Sequence, residues 1–270
     1  MINYGMKVSN EQEIISKFLI NNNLFVHKVE KKENILNFLK NIKIFKTNLI
    51  RIGSSNDGGY LVPDDLKDLS ACFSPGVDMN VSFEKDLADR KIPSHLLDYS
   101  IEKLPLENKF FKFEKKYLDI KNNKKNININ TWIKKNSDLK KKEEFILQMD
   151  IEGSEYQVLL DLEENLLKKF RIMIIEFHSL NNLLHPDGFR QIKAVFDKIL
   201  KHFYIVHIHP NNIFEPLIYL DLEIPKLLEI SFIRKDRLKE LLRVNILPNK
   251  LDRKNVKDKP DVELPYYWYK

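Results

Sequence analysis

At 270 residues, 43% hydrophobic and 31% charged, the chain has the size and balance of a folded globular protein with a sizeable core. Its single cysteine, Cys72, excludes a disulfide framework or a cysteine-based metal site within one chain and fits a reducing compartment. The net charge of +6 is mild, and the basic excess gathers in "KFFKFEKKYLDIKNNKKNINI" and "IKKNSDLKKK"; without aromatic residues at base-stacking spacing, these read first as solvated loop and helix faces.

The start, "MINYGMKVSNEQEIISKF", shows no basic stretch followed by an apolar one, and no apolar run nears the ~18 residues of a membrane span. The expectation is a cytoplasmic protein with neither leader nor span. Two amphipathic helices are predicted at about 10–22 and 31–42, and a hairpin with strands 49–52 and 60–62 around a Ser/Asn/Asp/Gly turn. From residue 69 apolar strands alternate with helices. Strands are expected at 69–74, 94–99, 110–113, 145–150, 171–178, 203–209 and 228–234, and helices at 81–90, 154–170 and 188–201. This rhythm predicts an α/β fold with a mostly parallel sheet covered on both faces, and an antiparallel last pair because no clear helix joins the final strands. The domain plan is an N-terminal helical extension (1–47), a main domain (48–250) and a C-terminal tail (251–270) packed on the body.

Chemistry gathers at strand ends. In "ACFSPGVDMNVSFEKDLA" a strand runs into Ser74, Pro75 and Gly76 before a helix opens, which places backbone N–H groups where α/β proteins bind ligands. The single glycine does not make a GxGxxG fingerprint. Asp98 follows Gly76 by 22 residues at the next strand tip, a position suited to ribose hydroxyls. In "FILQMDIEGSEYQVLL", Gly153 permits the turn, Ser154 is a candidate helix cap and Glu155 suits the helix dipole. That leaves Asp150 without a structural purpose. "RIMIIEFHSL" closes on Glu176 and His178, two apart and so on one strand face, and "YIVHIHPNN" carries His207 and His209 in the same relation. A metal held by the His207/His209 pair would need a third ligand from elsewhere, and no metal ligand set is assigned.

These segments resemble the FkbM-type S-adenosylmethionine-dependent methyltransferases over about residues 48–234. "MDIEGSEYQVL" with "IIEFH", and "RIGSSNDGGYLVPDDL" with "FSPGVDMNVSFEKDLA", carry the likeness. The resemblance implies a Rossmann-like class I methyltransferase fold, with seven strands in the order 3-2-1-4-5-7-6, the last one antiparallel. It also implies S-adenosyl-L-methionine as cofactor. Ser74, Gly76 and Asp78 would bracket its methionine portion, Asp98 its ribose, and Asp150 its amino group or the reacting centre. "SPGVDMN" departs from the family in having one glycine where many methyltransferases have two or three.

Family members act on hydroxyls of sugars or other small metabolites. The implied reaction is therefore O-methylation of a sugar, sugar nucleotide or surface-polysaccharide precursor. His178 is the first candidate base, oriented by Asp150 or Glu176. A second assembly of Asp150 and Glu176 would hold Mg²⁺ and is less favoured. The basic segment 112–142, including Lys140–Lys142, is a candidate for a diphosphate. The N-terminal helices and Tyr266, Tyr267, Trp268 and Tyr269 are candidates for an acceptor pocket. A nucleic-acid acceptor is disfavoured because no Asn/Asp-Pro-Pro-aromatic motif is present.

Overall fold

The computed structural model of the chain describes residues 10–23, 27–138 and 140–270; residues 1–9 and 24–26 of the expected extension and Leu139 of the basic segment lie outside them. Helices α1 (Asn10–Asn21) and α2 (Lys32–Leu39) come first, then the antiparallel hairpin of β1 (Leu49–Gly53) and β2 (Gly59–Pro63). The central run is β3 (Ala71–Pro75), α3 (Ser82–Asp89), β4 (Ser94–Leu97), β5 (Phe111–Glu114), β6 (Tyr117–Asp119), β7 (Asn126–Asn128) and α4 (Ile129–Lys135). It continues as β8 (Phe145–Met149), α5 (Glu155–Asp161), α6 (Glu164–Leu167), β9 (Phe170–Phe177) and α7 (Pro186–Leu200). The chain closes with β10 (Phe203–Pro210), the short strands β11 (Leu217–Tyr219) and β12 (Leu222–Ile224), and β13 (Leu228–Arg234).

Seven strands form one sheet in the order β10-β13-β9-β8-β3-β4-β5. Pairings from β9 to β5 are parallel, and β13 is antiparallel to both neighbours. Every residue of β3, β8 and β9 is buried, as strands covered on both faces require. The period-2 alternation divides their side chains between two cores. Phe73, Phe145, Leu147 and Met173 pack with Ile35 and Phe38 of α2, Trp132 of α4, Val158 of α5 and Phe196 of α7. Cys72, Ile146, Ile172 and Ile174 face the opposite side, under Phe83 and Leu87 of α3 and Ile52, Tyr60 and Val62 of the hairpin. The hairpin therefore acts as sheet cover rather than as a loose appendage.

Two local differences from the expected elements have identifiable causes. The single helix expected at 154–170 is broken between α5 and α6. The Asn130 side chain donates to Asp161 O at 3.1 Å and accepts from Glu163 N at 2.7 Å, satisfying the backbone groups that the break frees. Helix α4 arises inside the basic segment because Asn128 caps it, its side chain accepting from Asn130 N and Thr131 N. Ser154, by contrast, makes no side-chain cap bond. The aromatic tail packs on β12: Trp268 is fully buried and its Nε1 donates to Glu223 O at 3.0 Å, while Tyr267 Oη accepts from Glu223 N at 2.6 Å.

The ends of three strands meet at one glycine. Gly76 N donates to Leu97 O at 2.8 Å, and Asp150 N donates to Pro75 O at 3.2 Å, pinning β3 between β4 and β8. Gly76 has φ +82°, and a Cβ built there would lie 1.5 Å from the carbonyl oxygen of Asp150. Gly76→Ala must force these strand ends apart, so a loss of more than about 3 kcal/mol is expected in urea unfolding; an unchanged midpoint would mean that the turn can be rebuilt elsewhere.

Candidate active site

A cavity of about 620 Å³ opens where the turns after β3, β4 and β8 converge, roofed by Asp57 and Gly58 of the hairpin turn and Tyr60 of β2. That volume is within the usual ~300–1,000 Å³ of small-molecule sites. Gly76, Asp78, Asp98 and Asp150 line it, whereas Ser74, Glu176 and His178 stand behind its wall.

Each of these positions follows from a strand end. Asp98 ties the first two loops together. One carboxylate oxygen accepts from Asp78 N at 2.8 Å, and the other from Ser100 N at 2.7 Å and Ser100 Oγ at 2.6 Å. Ser74 is fully buried in β3, facing Glu84 of α3 and Gln148 of β8, both of which line the cavity.

Glu155, in the first turn of α5, does not serve the helix dipole alone. It is fully buried and hydrogen-bonded to His178 Nδ1. The partner orienting the imidazole is thus Glu155, not Asp150 or Glu176. On the other side of the ring, His178 Nε2 lies 3.6 Å from Asp150 Oδ1 and 3.5 Å from Glu152 Oε2, ion-pair distances too long for hydrogen bonds. Glu152 reaches this position from a left-handed backbone, φ 55°, next to Gly153 at φ 99°. Burial pulls the His178 pKa down, but the Glu155 hydrogen bond and the charges of Glu155, Asp150 and Glu152 outweigh it and leave the pKa raised. Asp150 Oδ1 is buried without a hydrogen-bond partner. Burial, only partly offset by His178, pushes the Asp150 carboxyl up to about 7.

Glu176 belongs to a different group. It is the β-ladder partner of Glu229 on β13, and the side-chain oxygens of Glu176, Glu229 and Asp57 converge within 4.8 Å. Asn211 Nδ2 donates to Glu176 at 3.0 Å, and Asn255 Nδ2 donates to Glu229 at 2.6 Å and to Asp57 at 3.1 Å. Burial raises the pKa of Glu229 to about 8 and that of Glu176 well above the carboxylate range, with neighbouring carboxylates adding to both. The two same-face residues of "EFH" are therefore separated: Glu176 joins the hairpin cluster and His178 joins Asp150 and Glu152, the second converging set among the described residues. His207 and His209 turn instead to buried Asp252, at 2.8 and 3.9 Å.

Of the basic segment, Lys116, Tyr117, Leu118, Asp119 and Asn126 reach the cavity wall, and Lys140–Lys142 do not. None of Tyr266–Tyr269 lines it. Glu84, Glu229 and Asp57 were missed in the sequence, and Glu155 was read there only for the helix dipole. A charged residue inside a buried-strand or helix pattern was the available signal for Glu84 and Glu229; the pairing of Glu229 with Glu176 is a tertiary fact.

The family model described as Methyltransferase FkbM domain matches residues 11–205. The chain belongs to the FkbM methyltransferase family. The match runs from α1 into β10 and takes in both halves of the cavity wall, and it supports a methyltransferase. Among curated proteins, none matches this chain. Among solved structures, the crystal structure of 23S rRNA methyltransferase ErmE aligns over 80% of this chain and 72% of that chain, at 8% identity and a TM-score of 0.30; likeness that low says nothing about the acceptor. No helix among the described residues is long and apolar enough to cross a membrane.

The buried acids and His178 have one shared consequence. Glu84, Asp150, Glu176 and Glu229 have folded pKa values above their unfolded ones, so the folded state holds more protons than the unfolded state between about pH 4 and 8. The stability that raised His178 contributes is likewise present below its unfolded value and lost as pH rises through the folded one. All five therefore act in the same direction. His95 and His209, whose pKa values burial lowers, act the other way only up to about pH 6.5, so the ligand-free protein is expected to melt at progressively lower temperature from about pH 6.5 to 8, and Glu229→Gln to flatten that slope; a melting temperature rising over this range would contradict the assignment.

Proposed function

We propose that the protein is an S-adenosylmethionine-dependent O-methyltransferase acting on a hydroxyl of a sugar, sugar nucleotide or surface-polysaccharide precursor. The observation that carries this reading is Asp150: it lines the cavity, holds an unpartnered oxygen, titrates near neutrality and is backed by His178 and Glu155. Family membership and the sheet order, that of a class I methyltransferase, support it.

The residues fit the cofactor. Gly76, in its left-handed turn against the Asp150 carbonyl, presents its backbone to the cavity without a side chain, and Asp98 stands at the second strand tip for the ribose hydroxyls. Gly76 and Asp78 line the cavity beside the methionine portion, with Ser74 supporting them from behind. S-adenosylmethionine would supply an electrophilic methyl carbon on sulfur. The chain's task is to align the acceptor oxygen opposite that sulfur and to take up its proton. Asp150 would take up the proton that the acceptor hydroxyl gives up on methylation. His178, held by Glu155, keeps the Asp150 carboxylate in place and stabilises its charge. Asp57, which lines the cavity and is held beside Glu229 by Asn255, offers a carboxylate to a further hydroxyl of a polyol acceptor, with Glu176 behind it.

A metal-assisted variant is the second reading, favoured by the convergence of Asp57, Glu176 and Glu229. Mg²⁺ there would acidify an acceptor hydroxyl in place of the carboxylate base.

A thermal melt with S-adenosylmethionine or S-adenosylhomocysteine at about 100 times Kd should show stabilisation of about 2.7 kcal/mol; no shift at millimolar ligand would sink the cofactor assignment. With an accepted sugar substrate, Asp150→Asn should lower kcat by about 10²–10⁴-fold while leaving the melt shift in place. The wild-type rate should rise with pH through about 7 as Asp150 ionises. Activity that disappears in EDTA and returns with Mg²⁺ would select the second reading.

A further inference from the structure

Glu84 is a buried carboxylate that the proposed reaction does not use. It sits in the first turn of α3, is 1% exposed and lines the cavity beside Gln148 and Tyr60. Its Oε1 is hydrogen-bonded to Ser74 Oγ, while its Oε2 is buried with no partner at all. Among the described residues no Lys or Arg is within ion-pair reach of it. A carboxylate in this condition is costly, because neither water nor a cation compensates its charge.

The hydrogen-bond arithmetic around Ser74 shows how the empty cavity tolerates it. The Ser74 hydroxyl is within reach of both Glu84 Oε1 and Gln148 Oε1, the latter at 2.6 Å. One hydroxyl proton serves one acceptor. The arrangement is complete when Glu84 carries a proton and donates it to Ser74 Oγ, which then donates to Gln148. Burial favours the same state, raising Glu84 to about 7. What the site lacks in its ionised form is a cationic N–H donor arriving from the cavity.

We propose that Glu84 is the carboxylate that receives the α-ammonium group of the bound cofactor, with its free Oε2 as the hydrogen-bond acceptor. This rests on the methyl-donor reading above. The ligand class is an aliphatic ammonium: a sulfonium is cationic too, but it has no N–H to satisfy an orphaned carboxylate oxygen. Ser74 and Gln148 fix the other side of the carboxylate, so the acceptor geometry is preset. The assignment divides the cavity into an ammonium end at Glu84, Gln148 and Tyr60 and a ribose end at Asp98 and Ser100.

The test is calorimetric binding of two ligands, S-adenosylhomocysteine, which carries the ammonium, and 5′-methylthioadenosine, which does not. Glu84→Gln should weaken S-adenosylhomocysteine by about 10- to 100-fold, the loss of a charge-assisted hydrogen bond, and leave 5′-methylthioadenosine unchanged. Equal affinity of wild type and variant for S-adenosylhomocysteine overturns the proposal, as does an equal loss for both ligands. If the variant fails to fold, the wild-type protein supplies the result through an analogue of S-adenosylhomocysteine with hydrogen in place of the α-amino group. Binding weaker by about tenfold or more supports the assignment, and undiminished binding overturns it. Should the wild type bind neither S-adenosylhomocysteine nor 5′-methylthioadenosine, it is the methyl-donor reading that fails, and the Glu84 assignment falls with it.

Discussion

The close approach of two backbones, Gly76 and Asp150, is the constraint on which the rest of the site depends. β3 and β8 are neighbours in the sheet, and their C-terminal ends converge until the Asp150 carbonyl occupies the space where a side chain on residue 76 would begin. That contact fixes where β3 stops and how the Asp78 loop leaves it. It also fixes where the Asp150 carboxyl is presented. Asp98, from the neighbouring strand, then ties down the Asp78 loop through a backbone N–H. A cavity bounded by three strand ends follows from one residue with no Cβ.

Around this frame the protein accumulates acids that it does not neutralise with surface cations. Asp57, Glu84, Asp150, Glu155, Glu176 and Glu229 approach the cavity or stand one layer behind it, and their bonded partners include Ser74, His178, Asn211 and Asn255. Neutral donors satisfy single lone pairs without removing charge, so burial keeps several of these groups protonated near neutrality. Holding so many acids away from water is costly to the ligand-free fold.

The hairpin and the C-terminal segment complete the arrangement from outside the sheet. Tyr60 packs with Phe83 on the sheet face while its turn brings Asp57 to the cavity. Asn255, far along the chain, holds Asp57 and Glu229 together. A segment that reads as an irregular tail thereby sets the geometry of a carboxylate cluster built by two other parts of the molecule.

Because apolar runs, periodicity and backbone freedom are local properties, the sequence by itself determined the seven strands of the main sheet and the glycine turns, but not the short pairs β6–β7 and β11–β12. Strand ends at Gly76, Asp98 and Asp150 were legible for that reason, as were the hairpin and the first two helices. Partnership was not. Glu155 suits a helix dipole on its own terms, and only the packing of α5 against the end of β9 turns it to His178. Glu176 and His178 share a face in the sequence pattern, yet β13 draws the first towards Glu229 while the chain leaves the sheet before the second. The break between α5 and α6 depends on Asn130, a residue on another helix. Contacts between residues distant in sequence are set by the closing of the fold, and the chemistry of this site consists almost wholly of such contacts.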